Sequence, residues 1–332
     1  MNVLVATKER LIFEKLQEMG NPKVNLTPAL DTGRIYTAIP STQLAIIDYF
    51  DLVPHPFSIE FIRKLLAAAP LIQCSSAEFL ASPQAYWEQA PHRVRPYQLP
   101  TKYTIAFTSY SGGTGKTSLS LDTALRFAER TRARLQLPVA VLEFAYGHSA
   151  LQALIGEEPF ALSELITQPE LSPYTFHGVT LYPMDYANVR ALAIEQVSQY
   201  MREQIANHVL TVIDAIWPHG LLFPIGDEVD LWIVLTTPRL DAVENARRLR
   251  EELAQEYGEE KVILAVNQMG GLAASLALWG TPRELELPRA QRSEAIFKGK
   301  LGKEILKYLY GPLWREYERA GRRRWWPFKA RA

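Results

Sequence analysis

The sequence predicts an α/β protein in two units, the larger built on a doubly wound, mostly parallel sheet. Three observations predict it. Short β-branched apolar runs alternate with amphipathic segments along the chain. One run passes through a glycine-rich turn, SGGTGKTS, straight into a helical pattern. A proline-rich stretch with no clean period, SPQAYWEQAPHRVRPYQLP at 82–100, separates a small N-terminal part from the rest.

Taken in order, VLVA (3–6), LAIID (44–48), YTIAFTSY (103–110), VAVLEF (139–144), VTLYPM (179–184), HVLTVID (208–214), LWIVLTT (231–237) and KVILAVN (261–267) read as buried strands. Several are apolar on both faces, as central strands covered by helices on both sides must be. SLSLDTALRFAERTR (118–132) and LDAVENARRLREELAQEYG (240–258) carry helical periodicity between them. Such alternation implies right-handed crossovers and a parallel sheet. The expected organisation is a unit at 1–85, a linker at 86–100, a larger unit at 101–310 and a tail at 311–332.

The single cysteine, Cys74, excludes an internal disulfide framework and a cysteine-rich metal site, and a reducing, cytoplasmic setting follows. The first twenty residues lack the pattern of a secretory signal, and no stretch reaches the roughly 20 apolar residues of a membrane span. Net charge is zero, but from Arg289 onward there are 13 Lys/Arg against 4 Asp/Glu, a net of +9 on an otherwise acidic body. A basic end of this kind suits an anionic partner, either a membrane surface or nucleic acid.

The turn at 110–118 carries the most specific chemistry. Gly112, Gly113 and Gly115 let successive backbone N–H groups face a phosphate, and the helix that follows adds its free N–H groups and dipole. Thr114 and Ser118 complete the cradle. Lys116 is placed to stabilise phosphate charge, and the Thr117 hydroxyl to ligate Mg²⁺. The plain alternative is a glycine-rich strand-to-helix turn with a chance GKT.

This loop is similar to the deviant Walker A motif of the MinD/ParA ATPases, whose usual form is a Gly, a signature Lys and then GGxGKT. Residues 139–166, 208–220, 228–249, 262–268 and 285–302 resemble that family's later segments in the same order. The resemblance covers about two thirds of the chain and is nearest to the CpaE/TadZ pilus-assembly proteins. It implies a P-loop NTPase fold, ATP and Mg²⁺ as cofactors, Asp214 as a second metal residue through a water, and Asn267 on the adenine side. It implies a homodimer, pilus or secretion assembly proteins as partners, and a cytoplasmic location with peripheral contact at the inner face of the membrane. An active MinD/ParA-type ATPase for spatial positioning on membrane or nucleoid, and a non-catalytic scaffold, are the alternatives.

Three positions depart from the family pattern. Tyr110 stands at the first loop glycine, Ser111 at the signature lysine that crosses a dimer, and Ala145 at the second acid of the family's Asp-x-Asp. Glu143 matches the first acid, and is expected to face differently from the second. His148 nearby is expected to be solvated. Binding without efficient hydrolysis follows as the expectation.

The N-terminal unit resembles a receiver domain, with Asp48 at the phosphoacceptor position. Ala6-Thr7 stand where a receiver's Mg²⁺-holding acids belong, so a pseudo-receiver for docking or dimerisation is expected, with Asp48 structural. In the C-terminal segment Ile305, Leu306, Leu309, Leu313 and Tyr317 fall at helical spacing, and Pro312 should break or restart that helix. Beyond it, RRRWWPFK mixes cations with indoles. That composition suits an anionic membrane surface; fold-back onto the larger unit, and less readily DNA, are the other readings.

Overall fold

A computed structural model describes residues 1–19, 25–91, 96–269, 278, 280–288 and 301–323. The chain divides into two compact units, Met1–Pro100 and Thr101–Ala332.

The first unit is a four-stranded parallel sheet in the order β2-β1-β3-β4, formed by β1 (Asn2–Ala6), β2 (Asn25–Pro28), β3 (Leu44–Ile47) and β4 (Ile72–Cys74). Its helices are α1 (Leu11–Glu18), α2 (Thr32–Ala38), α3 (Ile59–Ala68), α4 (Ser76–Ala81) and α5 (Pro83–Gln89). Three of them start on side-chain caps. Asp31 accepts from Arg34 N–H, Ser58 from Phe61 N–H, and Ser75 pairs reciprocally with Glu78. The central strands are the expected ones, whereas β2 and β4 are short edges without an apolar run to announce them. The segment read as linker begins with a helix: α5 starts on Pro83, and Tyr86, Trp87 and Ala90 pack onto the core of Val3, Val5, Leu44, Ile46 and Phe79. Tyr36 Oη donates to the Pro100 carbonyl at 2.8 Å, so the unit runs to residue 100 rather than 85.

The second unit is an eight-stranded sheet in the order β12-β11-β10-β5-β9-β6-β8-β7. Its strands are β5 (Tyr103–Ser109), β6 (Val139–Phe144), β7 (Tyr174–Phe176), β8 (Val179–Tyr182), β9 (Leu210–Ile216), β10 (Leu231–Thr236), β11 (Val262–Met269) and β12 (Leu285–Pro288). All neighbours are parallel except the β7–β8 hairpin. The α/β, mostly parallel class expected from the sequence is therefore what forms. β6 and β10 are buried at every residue, which is why their apolar runs show no alternation. The helices are α6 (Lys116–Thr131), α7 (Ala150–Ile155), α8 (Leu162–Thr167), α9 (Tyr186–Val189), α10 (Ile194–Ala206), α11 (Leu240–Tyr257), α12 (Gly302–Tyr310) and α13 (Pro312–Arg323). β5 lies mid-sheet between β9 and β10, and the chain leaving its carboxyl end enters α6. That is the crevice position where open α/β sheets take ligands.

The C-terminal helices brace α6. Asp122 of α6 accepts the N–H groups of Leu301 and Gly302, at 3.0 and 2.7 Å, and so caps α12. Gly302 approaches so closely that a Cβ there would lie 2.6 Å from Thr123 Cα. Pro312 restarts the helix after Gly311, and Trp314 and Tyr317 are buried. Trp314 stacks on Phe127 at 6.1 Å, and Arg126 of α6 meets Glu318 at 3.3 Å. Residues 312–320 are thus part of the folded unit rather than a tail starting at 311. The RRRWWPFK stretch lies outside the residues whose side chains are described. No helix among the described residues is long and apolar enough to cross a membrane.

Trp314→Ala removes an indole buried against Phe127 and should cost about 3–5 kcal/mol of stability. Urea denaturation of the full chain checks this, and a change below about 1 kcal/mol would mean that α13 does not brace α6.

Candidate functional site

The β5–α6 junction forms the loop that the sequence predicts. Gly113 has φ of 70° and Gly115 φ of 90°, a left-handed region that favours glycine. At Gly115 the requirement is also steric, since a Cβ would sit 2.5 Å from the Asn267 amide nitrogen. At Gly112 and Gly113 a Cβ would meet nothing within 4 Å. The protein leaves the space in front of those two glycines clear.

Lys116, the first residue of α6, turns its ammonium back over the loop. It donates to Ser109 Oγ at 2.8 Å and to the Ser111 carbonyl at 3.2 Å. Ser109 Oγ in turn donates to the Ser111 carbonyl at 2.7 Å and lies 3.1 Å from Thr114 Oγ1. Burial lowers the Lys116 pKa, and the negative charge of Asp214 opposes that shift. Ser109 was not singled out from the sequence, because a serine ending a strand gives no signal of its own. Thr117 and Ser118 occupy the half-buried first turn of α6.

Asp214, near the end of β9, is buried beside this loop. Burial pushes its carboxyl up to about 7; the Thr117 hydroxyl bond and Lys116 oppose the rise, and Glu143 adds to it. Thr117 and Asp214, expected together at the metal, are therefore hydrogen-bonded neighbours. A hydroxyl and a buried carboxylate with little compensating charge form a hard-oxygen donor pair that fits Mg²⁺. The cleared glycine face and the adjacent ammonium fit a phosphate chain.

Asn267 sits at the carboxyl-end portion of β11. Its amide donates to the Thr114 carbonyl at 2.8 Å, and its Oδ1 accepts from Gln268 N–H at 2.9 Å. The side chain is buried and holds the 110–118 loop against β11, so its described contacts are with backbone.

Glu143 corrects one expectation. It pairs in register with Asp214 across β6 and β9, and so faces the same side, close enough to raise the aspartate's pKa. It is nevertheless fully engaged. Oε1 accepts from Ala150 and Leu151 N–H at 2.7 and 3.1 Å; Oε2 accepts from Ser149 Oγ and from Met184 N–H at 3.0 Å. Burial raises its pKa, and those four bonds oppose the rise. Its job is to anchor the loop after β6, which leaves no lone pair set free to orient water. Ala145 follows with no side-chain acceptor, and His148 is exposed as expected.

Tyr110 turns away from the loop. Its hydroxyl bonds Glu252 of α11, and burial with that acid pushes its pKa up to about 12. Trp217 Nε1 donates to the same carboxylate at 3.3 Å. In the first unit, Asp48 is buried, accepting from the Thr7 hydroxyl and from Ser76 N–H at 3.1 Å. Burial would raise its pKa, but the bonds from Ser76 and Thr7 outweigh it and hold the carboxyl below the usual range. Asp48 thus ties β1 to β3 and caps the start of α4.

The Asp214 shift has a direct consequence. Its folded pKa of about 7 lies above the 3.8 of a free carboxyl, so the folded chain keeps a proton that the unfolded chain has lost. That contribution to stability is present below about pH 4 and is lost as pH rises through 7. Asp214→Asn should therefore stabilise the ligand-free protein at pH 8, by up to about 4 kcal/mol, while abolishing any Mg²⁺ dependence of nucleotide binding. Thermal melts at pH 5 and pH 8 check the first part; an equal effect at both pH values would contradict it.

No family model matches the sequence, and no curated protein matches it. Among solved structures, the chain is similar to a ParA family ATPase from Chlorobium tepidum, at 16% identity and a TM-score of 0.49, covering 66% of this chain and 98% of that one. It is similar to MinD of Aquifex aeolicus in a complex with MinC, at 17% identity and 0.46, covering 67% and 95%. It is also similar to the septum site-determining protein MinD of Pyrococcus horikoshii complexed with Mg-ADP, at 14% identity and 0.47, covering 67% and 96%.

Proposed function

We propose that the 110–118 loop binds ATP with Mg²⁺ and that the chain holds this nucleotide with little or no hydrolysis. The observation that carries the reading is the convergence of Lys116, Thr117 and buried Asp214 on a glycine turn whose outer face is clear. Bound nucleotide would place its terminal phosphates at Lys116 and the helix N-terminus, where ammonium and backbone N–H groups neutralise them. Bound Mg²⁺ would supply charge neutralisation at those phosphates. Thr117 and Asp214 would hold it, Asp214 in its ionised form.

The case against turnover rests on two side chains. Ser111 provides a carbonyl to Lys116 and no cation to a second copy. Ala145 provides no acceptor for a water, and Glu143 beside it is fully engaged. Loss of a cation of this kind alone costs on the order of 10³-fold or more in phosphoryl transfer.

In this reading the chain is an ATP-bound homodimer that localises or assembles a larger apparatus, similar to CpaE/TadZ of Tad/Flp pilus systems. The N-terminal unit serves as a pseudo-receiver for docking or dimerisation. Support comes from its parallel 2-1-3-4 strand order, shared with flavodoxin-like sheets, and from the structural engagement of Asp48. Because residues 312–320 fold onto α6, contact with an anionic membrane surface falls to RRRWWPFK alone.

Isothermal titration of the full chain with ATP and with ADP, with and without Mg²⁺, tests the reading when combined with size analysis. Binding of ATP that needs Mg²⁺, falls at least about tenfold in Lys116→Ala, and shifts the protein to twice its mass is the expected outcome. No binding of either nucleotide would overturn it.

A further inference from the structure

Two loops leave the carboxyl edge of the sheet on either side of Asp214: residues 145–149 after β6 and 217–222 after β9. Their sequences, AYGHS and WPHGLL, are rich in rings rather than small residues. The structure interlocks them. The Tyr146 ring stacks on the His219 imidazole with centroids 4.6 Å apart and planes 24° from parallel. Its hydroxyl donates to the Pro218 carbonyl at 2.6 Å, and the Gly220 backbone also bonds that hydroxyl. Tyr186 of α9 stands edge-on to both rings, 4.9 Å from Tyr146 and 5.4 Å from His219. Phe144 closes another side of the imidazole at 5.4 Å, edge-on. His219 is 0% exposed, while Tyr146, which covers it, is 48% exposed.

The outer ends of both loops are fixed as well. Glu143 holds Ser149, Ala150 and Leu151, and Glu252 holds Trp217 together with Tyr110 at the front of the phosphate loop. Trp217 also packs edge-on against Phe223 and Trp232, at 5.1 and 5.8 Å. With both ends anchored, two described side chains bond one loop's backbone from the other: Tyr146, on Pro218, and the His219 that it covers, on Ala145.

We propose that Tyr146 is a positioning residue that joins the loops after β6 and β9 into one body, so that they open and close together. That they enclose the outermost phosphate rests on the nucleotide reading above; that they move together does not. The join works through two additive contacts of different kinds. The hydroxyl bond fixes Pro218, and the ring shields from water the His219 imidazole and its bond to the Ala145 backbone. A single surface residue thereby decides whether a buried imidazole stays enclosed. Any event at one loop is transmitted to the other without a change in the sheet between them.

Hydrogen–deuterium exchange of the full chain, first without nucleotide, tests this. In the wild type, amides of 145–151 and 217–222 should share one protection factor. Tyr146→Phe keeps the ring and should lower both together, by on the order of 5–10-fold. Tyr146→Ala should lower both by on the order of 100-fold, with β10 still protected as the control for folding. Partial rescue by the phenylalanine variant separates joining from mere bulk. If Tyr146→Ala changes 145–151 and leaves 217–222 as in the wild type, the proposal is overturned. If that variant does not fold, the phenylalanine variant decides alone: a drop confined to 145–151 overturns the proposal, and a shared drop supports it. Adding ATP and Mg²⁺ should then protect both segments together in the wild type. Shared exchange with no response to ATP would support the join while overturning the nucleotide reading.

Discussion

Two carboxyl groups buried side by side, Glu143 and Asp214, set the terms for the rest of the larger unit. They stand in register on adjacent central strands, where a charge without partners costs several kcal/mol. Glu143 meets that cost with four donors, and in doing so fixes the start of α7 and the approach to α9. Asp214 has the Thr117 hydroxyl and the nearby Lys116 ammonium, and its pKa stands near neutrality. One acid is therefore spent on architecture. The other is left short of positive charge beside a loop that faces outward with bare backbone.

That division separates holding from cutting. Every group that would hold a phosphate chain lies on or next to β5–α6: two glycines with clear space before them, Lys116, Thr117 and Asp214. Under the proposed reading, the groups that the MinD/ParA resemblance would bring to the reacting phosphate are absent from the sequence. Ser111 turns its carbonyl to Lys116, Tyr110 is drawn back to Glu252, and Ala145 ends at a methyl. The loops after β6 and β9 meet through ring contacts of Tyr146, Tyr186 and His219. C-terminal helices clamped to α6 through Asp122, Trp314 and Glu318 stiffen the same element from behind.

Much of this was legible in the sequence, for identifiable reasons. Central strands announce themselves because burial on both faces demands unbroken β-branched runs, as in LWIVLT. The glycine turn at 110–118 is legible because backbone geometry there restricts residue type, as the φ of Gly113 and Gly115 shows. The edges were not: NLTP, IQC and YTF are three or four residues long, too short to show a period. The helical spacing of Leu306, Leu313 and Tyr317 shows that a face is apolar without saying what covers it, so the docking of α13 on α6 needed the structure. The same holds for Tyr146 and His219, whose contact joins distant loops with no periodic signature. The facing of Glu143 could have been read, since residues two apart on a strand share a face.

The proposal that organises the larger unit is that the 110–118 loop binds nucleotide with little or no hydrolysis. The most direct measurement is phosphate release by a chain carrying Ser111→Lys and Ala145→Asp, set beside the wild type, with ATP affinity measured for both. Wild-type release at background is expected, with a gain of on the order of tenfold or more in the double variant and affinity changed by less than about threefold. Equal release by the two proteins, at a rate that Lys116→Ala abolishes, would contradict it.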